Sequence, residues 1–440
     1  MMGFSARDVT AGAVALAFSG IAAAETLKEV VTFAVETNPQ VVSVTKRKDA
    51  ADFAIDGAKG GYYPKADFLL GTGRERSQNT TTLATDPGWV HLSRKQEGLV
   101  VNQMVWDGLG VKSEVDRRRA ISESTAHRVY STAEEIALQA IEAYLEVIKN
   151  RDLVRFAKEN LAAHQKTFNQ VKLRADKGVG RRADLEQIDA RLALAAANLS
   201  SAESKLRDAE IIYFKVVGKA PVNLVMPAPP QNFPRSVDEG VKIGQSNHPL
   251  LKSAQSDMDA AQAQREAAKS FLSPRLELEA SYSNNRNIDG LDGPNRDRLL
   301  MLWAKWNMFR GGFDYYRGKE TAEQISEATE IARNTNREVE AAVRLRYNAY
   351  ETARDRLPSL ERYVKSADAT RDAYAKQFDI GQRTLLDLLD SENEFFTART
   401  VQTEGRFIEI TARYRILNAM GQLLSTLDVK PPEQAAVKAP

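Results

Sequence analysis

The 440-residue sequence contains no cysteine. That excludes disulfides, thiolate metal sites, cysteine nucleophiles and lipidation of an N-terminal cysteine. Histidine is almost as scarce. His91, His127, His164 and His248 are the four, and none lies three or four residues from another. Scattered single histidines point away from a histidine metal site and from a Ser-His-Asp triad. A surplus of one charge is also missing: 61 Lys and Arg stand against 59 Asp and Glu, for a net charge of +2. Nucleic acid is therefore not an expected partner. Long apolar runs are absent beyond Ala24. The longest uncharged run there, Ala220 to Pro234, holds five prolines, whereas a spanning helix needs about 20 mostly apolar residues. A membrane could still be crossed by strands.

With 43% apolar and 27% charged residues the chain can fold. Residues Val9 to Ala24 are small or apolar and uncharged, and Ala22-Ala23-Ala24 resembles a cleavage site. Residues 1–24 read as a secretory signal peptide; a buried N-terminal helix is the other reading.

The remainder repeats itself. Pro39 and Pro249, and Pro64 and Pro274, are each separated by 210 residues. Asp107-Gly108 and Arg310-Gly311, and Gly178 and Gly381, are each separated by 203. One loop of the first half is therefore seven residues longer, placed at Arg74 to Arg94 against Asn284 to Asp297. The organisation expected is a first repeat at 25–217, a Pro-rich linker at 218–246, a second repeat at 247–427 and a flexible tail at 428–440.

Each half opens with a proline-bounded helix, Pro39 to Tyr63 and Pro249 to Ser273. Period-two alternation follows. Leu276, Leu278, Ala280 and Tyr282 share one face, and Glu277, Glu279, Ser281 and Ser283 the other. Strands are expected at about 65–74, 96–106, 275–284 and 299–308. Their length suits a tilted bilayer-crossing strand. Were such strands to build a barrel, Trp106, Trp303 and Trp306 would be expected at its rim, where aromatic girdles lie.

Long helical hairpins come next, at about 112–217 and 313–424. Pro358 is expected to kink or break the second. Leu185, Ile188, Leu192, Ala195, Leu199, Ala202, Leu206, Ala209, Tyr213 and Val216 alternate steps of three and four, which predicts a left-handed coiled-coil hairpin. His164 falls on the same seam, as a packed residue rather than a ligand.

Four amphipathic strands cannot close a barrel, and open strand edges cannot be left in lipid. Several copies must share one barrel, and three would supply twelve strands. With its duplicated strand-strand-hairpin unit and the tip Phe378-Asp379-Ile380-Gly381-Gln382-Arg383-Thr384-Leu385-Leu386-Asp387-Leu388-Leu389-Asp390, the chain resembles the TolC family of outer-membrane channels. The resemblance implies a mixed all-α/β-barrel fold, in which a trimeric twelve-stranded barrel is continued by an α-helical coiled-coil tunnel in the periplasm. It also implies a passive exit duct of type I secretion or tripartite efflux, in the outer membrane of a Gram-negative bacterium. Its partners would be two further copies, a periplasmic adaptor, an inner-membrane ABC or RND transporter, and outer-membrane lipid. The lack of cysteine points away from the lipidated drug-efflux members and towards secretion.

By the same resemblance Asp387 and Asp390 would form carboxylate rings in a pore constriction, with crowding raising some of their pKa values. Read without it, they are helix-start acids favoured by the helix dipole. Arg383 would reach Asp184 on the neighbouring tip and lock the closed state. Phe378 stands where the family usually places a lock tyrosine, and Ala183 where it places a threonine. Asp107, Gly108, Arg310, Gly311 and Gly312 are expected to mark the switch from strand to helix. No catalytic, cofactor or metal residue is indicated. A non-channel periplasmic coiled-coil scaffold or adaptor is the alternative.

Overall fold

A computed structural model of the chain describes residues 25–84, 88–178, 181–230 and 233–437. The expected signal peptide lies outside the described residues. Helices α1 (Leu27–Thr37) and α2 (Pro39–Lys59) open the first half. Thr26 and Glu29 form a capping box on α1, and Asn38 caps α2 with Pro39 in its first turn. Strands β1 (Lys65–Ser77) and β2 (Val90–Trp106) flank the short helix α3 (Thr80–Leu83). Helices α4 (Gly110–Asp176) and α5 (Arg182–Val217) form the first hairpin.

The second half repeats this order as α6 (Val237–Asn247), α7 (Pro249–Lys269), β3 (Arg275–Ile288), β4 (Leu291–Lys305), α8 (Phe313–Asp379) and α9 (Leu385–Ala419). The short helix α10 (Leu423–Thr426) follows. Both long helices have 67 residues, about 100 Å at 1.5 Å per residue. Helix α6 falls within the span read as linker, and it matches α1 at a separation of 210. Its marks are a Ser236 cap and two small buried residues, Gly240 and Gly244, too short an apolar stripe to stand out in sequence.

The four strands form one antiparallel sheet in the order β1-β2-β3-β4. They are longer than the alternation suggested, at 13, 17, 14 and 15 residues. The segment 284–297, read as loop, is strand on both sides of a two-residue turn. Asp289 and Gly290 form that turn with φ of 55° and 79°, the conformation of tight hairpins. Both faces are polar there, so alternation cannot reveal a strand. Strand β4 ends at Lys305 rather than near residue 308.

Helix α8 runs through Gly318 and Pro358 without a break. Proline removes one backbone donor of a very long helix. Leu357 and Leu360 pack there against Gly405, where a Cβ would come within 2.7 Å of Leu360.

The main core lies where α1, α4, α5, α9 and α10 meet, around Val30, Ile141, Tyr144, Tyr213, Tyr414 and Leu423. The heptad positions of α5 are all buried or half-buried, as a hairpin seam requires. His164 is buried on this seam, its Nδ1 2.9 Å from the Asn160 carbonyl.

Candidate functional site

Three regions can serve a duct: the sheet, the strand-to-helix switches and the hairpin tips. In the sheet, register places the apolar positions together. Phe68 pairs with Leu99, Leu99 with Tyr282, Ala280 with Leu300, and Leu278 with Leu302. Directly paired residues share a face. On the central strands, exposure alternates with that face. Lys95, Glu97, Leu99, Leu278, Ala280 and Tyr282 are exposed, while Gln96, Gly98, Val100, Glu279, Ser281 and Ser283 are half-buried. A curved sheet shelters its concave side. The concave face is thus mainly polar and the convex face carries the apolar positions, which suits a water-filled lumen inside lipid.

Trp303 departs from the rim expectation. It pairs with Glu277, and its indole N–H donates to Glu279 Oε2 at 2.9 Å, so it belongs to the polar face. Trp306 lies just past β4, at the helix end of the sheet, and donates to the Leu272 carbonyl at 3.2 Å.

At the first switch, Asp107 caps α4 by accepting from Gly110 N at 3.0 Å and Val111 N at 2.7 Å. Gly108 has φ of 72°, and a Cβ there would lie 2.6 Å from Ser273 Cβ and 2.8 Å from the Ser270 carbonyl. At the second, Arg310 forks onto Asp314 and stacks on Phe271 and Phe313 at 4.7 and 4.9 Å. Gly311 and Gly312 have φ of 60° and 84°.

At the tips, Gly178 and Gly381 reverse the chain with φ of 77° each. The second tip builds a capping box. Asp387 N donates to Thr384 Oγ1 at 3.2 Å, while Asp387 Oδ2 accepts from Thr384 Oγ1 at 2.8 Å and Thr384 N at 3.2 Å. These bonds, with Arg383 beside them, hold the Asp387 carboxyl below the usual carboxylate range. Within one chain its direction is thus opposite to the rise expected from crowding.

Asp390 accepts from Arg191 Nη2 of α5 at 2.9 Å. Arg383 is engaged within its own hairpin. It donates to Gln377 Oε1 at 3.0 Å, sits 3.8 Å from Asp387 Oδ2 and lies over the Tyr374 ring at 4.3 Å. Asp184 is half-buried and makes no ion pair among the described residues. Phe378 is buried among Val171, Ile188, Leu385, Leu388 and Leu389, with Arg174 5.1 Å above its ring. It joins the two hairpins by packing, where a tyrosine would offer a hydroxyl.

Two groups here lay outside the sequence reading. Arg191 carries no local signature. Glu134 does: it interrupts the apolar positions Ala133, Ile136 and Ala137. Its buried carboxylate accepts from Leu423 N at 3.0 Å and Leu424 N at 2.9 Å. Burial pushes its pKa up to about 7, although both N–H groups pull the other way. Among the described residues, no group of three or more His, Asp or Glu could hold a metal ion, and no helix is long and apolar enough to cross a membrane.

Residues 31–218 and 243–422 match the outer membrane efflux protein family. The outer membrane efflux protein BepC of Brucella suis biovar 1 (strain 1330) is 25% identical over 422 residues, covering 95% of this chain and 91% of its own. The outer membrane protein TolC of Vibrio cholerae serotype O1 is 24% identical over 409 residues, covering 91% of each chain. The Campylobacter jejuni CmeC outer membrane channel superposes with a TM-score of 0.78 at 13% identity, over 90% of this chain and 86% of that one. Two copies of one strand-strand-hairpin unit, a sheet that gathers its apolar strand positions on one mainly exposed face, and a family match across both copies agree: the chain belongs to the outer membrane efflux protein family and is an exit duct of the outer membrane.

Proposed function

We propose that the chain acts as a homotrimer, in which three four-stranded sheets close one twelve-stranded barrel and the hairpins form a periplasmic tunnel. The observation that carries this is the sheet itself. Among the described residues, strands β1 and β4 each pair on one side only, and the convex face carries the apolar positions over its helix-side part. Edges of that kind must be closed in lipid. Joining β4 of one copy to β1 of the next closes them without any new fold.

In that assembly Asp387 and Asp390 ring the tunnel where the tips converge, and a narrow ring of carboxylates favours cations. Among the described residues Asp184 makes no ion pair, and in the trimer it would be open to Arg383 of the next copy. A periplasmic adaptor and an ABC or RND transporter of the inner membrane draw the tips apart, and cargo passes without chemistry. Type I secretion and tripartite efflux both fit this duct.

The test is planar-bilayer conductance of the full-length protein beside Asp387→Ala/Asp390→Ala, with the mass of the purified assembly measured in parallel. A three-chain mass, and a small cation-selective conductance that loses selectivity in the variant, are expected. Folded protein that stays a single chain, or a conductance indifferent to both acids, refutes the assembly or the ring respectively.

A further inference from the structure

We propose that the convex face of the sheet carries a basic collar that holds phosphorylated lipid headgroups of the outer leaflet. The collar consists of Arg74 and Arg76 on β1, Lys95 on β2, Arg286 on β3, and Arg296 and Arg298 on β4. The proposal rests on the barrel reading above.

Register puts these side chains on one face, continuous with the apolar positions. Lys95 pairs with Arg286 and with Thr72, Arg298 pairs with Tyr282, and Arg296 with Asn284. Arg74 and Arg76 follow Phe68, Leu70 and Thr72 at period two. All six are exposed, and among the described residues none forms an ion pair. Their contacts are uncharged: Arg76 lies 4.4 Å over Trp89, Arg298 lies 5.8 Å from the Tyr282 ring, and Arg296 donates to Asn284 at 3.0 Å.

The concave face treats its cations differently. Arg94 pairs with Glu75 at 2.6 Å, Lys305 with Glu277 at 2.8 Å and Arg275 with Glu277 at 3.8 Å, while Lys65 lies at the helix end. Glu97 is the acid within the collar, and it accepts from Asn284 Nδ2 at 3.3 Å. Asp289 and Asp292 lie beyond, at the hairpin turn.

The level of the collar is also informative. Arg74 and Arg296 lie eight residues from the helix-side apolar positions Ala66 and Ala304, and Arg286 lies ten from Leu276. Eight to ten residues at about 3.4 Å, tilted about 40°, rise roughly 20–26 Å. An apolar band about 25 Å tall would place these cations at its outer boundary. The hairpin turns lie at the end of the sheet opposite the helices, so this boundary faces away from the tunnel. Unpaired cations there match phosphate carried by lipid, and phosphate with guanidinium makes paired, charge-assisted hydrogen bonds.

The experiment titrates the full-length assembly in detergent with bisphosphorylated lipid A, with the same lipid after removal of its phosphates, and with inorganic phosphate. Bound lipid is counted by native mass spectrometry. Saturable binding of the phosphorylated lipid is expected. Removal of the phosphates should weaken it by about tenfold or more. Inorganic phosphate alone should not bind. Arg74→Gln/Arg286→Gln/Arg298→Gln should weaken lipid binding by about tenfold or more, while Arg94→Gln on the concave face leaves it unchanged. Lys95→Gln/Arg296→Gln gives a second reading should the triple variant fail to assemble. Equal lipid affinity of collar variant and parent, or of the two lipids, overturns the collar, and so does binding of free phosphate alone. Assembly mass and bilayer conductance are read on the same samples, so failure of the barrel would appear there and not as a change in lipid affinity.

Discussion

Arg191 Nη2 of the first hairpin lies 2.9 Å from Asp390 Oδ1 of the second. The two residues are 199 apart in sequence, and the pair ties α5 to the start of α9, which carries both tip acids. Asp390 remains more than half exposed, so the pair contributes about 0–1 kcal/mol to stability. Its weight falls on the electrostatics of the tip, where one of two candidate ring acids already has a counter-ion.

Arg191→Ala should therefore leave the unfolding midpoint nearly unchanged and make the conductance more cation-selective, because Asp390 loses its counter-ion. Reversal potentials under a salt gradient check this. A reversal potential equal to that of the parent would show that Asp390 does not face the permeation path.

Arg383→Ser should raise resting conductance. Within the chain the arginine meets Asp387 only at 3.8 Å, with both side chains over one-third exposed, so little stability is at stake. A contact with Asp184 of the next copy would hold the tips together. Single-channel recording of Arg383→Ser and Asp184→Ala should give the same enlarged conductance, and a double variant no larger than either single one.

The duplication was readable because it is written in residues with backbone consequences. Prolines start helices, and glycines with positive φ turn the chain, so their spacings of 210 and 203 survive in the structure as paired element boundaries. Strand ends were legible only where one face is apolar. Beyond Arg74 and Asn284 both faces are polar, and the Asp289-Gly290 turn was the remaining signal. Tip contacts were the least legible. Phe378 could be placed at the tip from its motif, but its packing on Val171 and Ile188, and the meeting of Arg191 with Asp390, arise from how two hairpins lie together.

Gly108→Ala should be far more damaging than Gly311→Ala. Both glycines have positive φ, costing a side chain about 1–2 kcal/mol. At Gly108 the added methyl also meets the Ser270 carbonyl and Ser273, whereas among the described residues nothing beyond its chain neighbours lies within 4 Å at Gly311. Overpacking adds about 1–3 kcal/mol. Thermal unfolding should show a large loss for the first variant and a small one for the second.

Glu134 and His248 should titrate with opposite signs. Native Glu134 holds its proton up to about 7 against an ordinary 4.5. Between those values the folded chain binds the proton and the unfolded chain does not, so acidification from pH 8 to 5 stabilises through this residue. Glu134→Gln should remove that gain, read as a flatter dependence of the denaturant midpoint on pH.

His248 works the other way. Its Nδ1 caps α7 by accepting from Leu250 N at 3.2 Å, a role that requires the neutral ring. Burial first, and then nearby Arg346, push its pKa from 6.5 to about 4. Between those values the unfolded chain holds the proton and the folded chain does not, so stability is lost as pH falls through this window. The first repeat shows the substitution that isolates this. Asn38 stands 210 residues earlier and caps α2 by accepting from Gln40 N at 2.9 Å. His248→Asn should keep the cap, leave stability near pH 8 within about 0.5 kcal/mol, and abolish the loss between pH 6.5 and 4. Denaturant midpoints of parent and variant across that range decide it. Parallel curves would mean that His248 does not carry the acid sensitivity, and a loss at pH 8 would mean that the ring packs in a way the amide cannot replace.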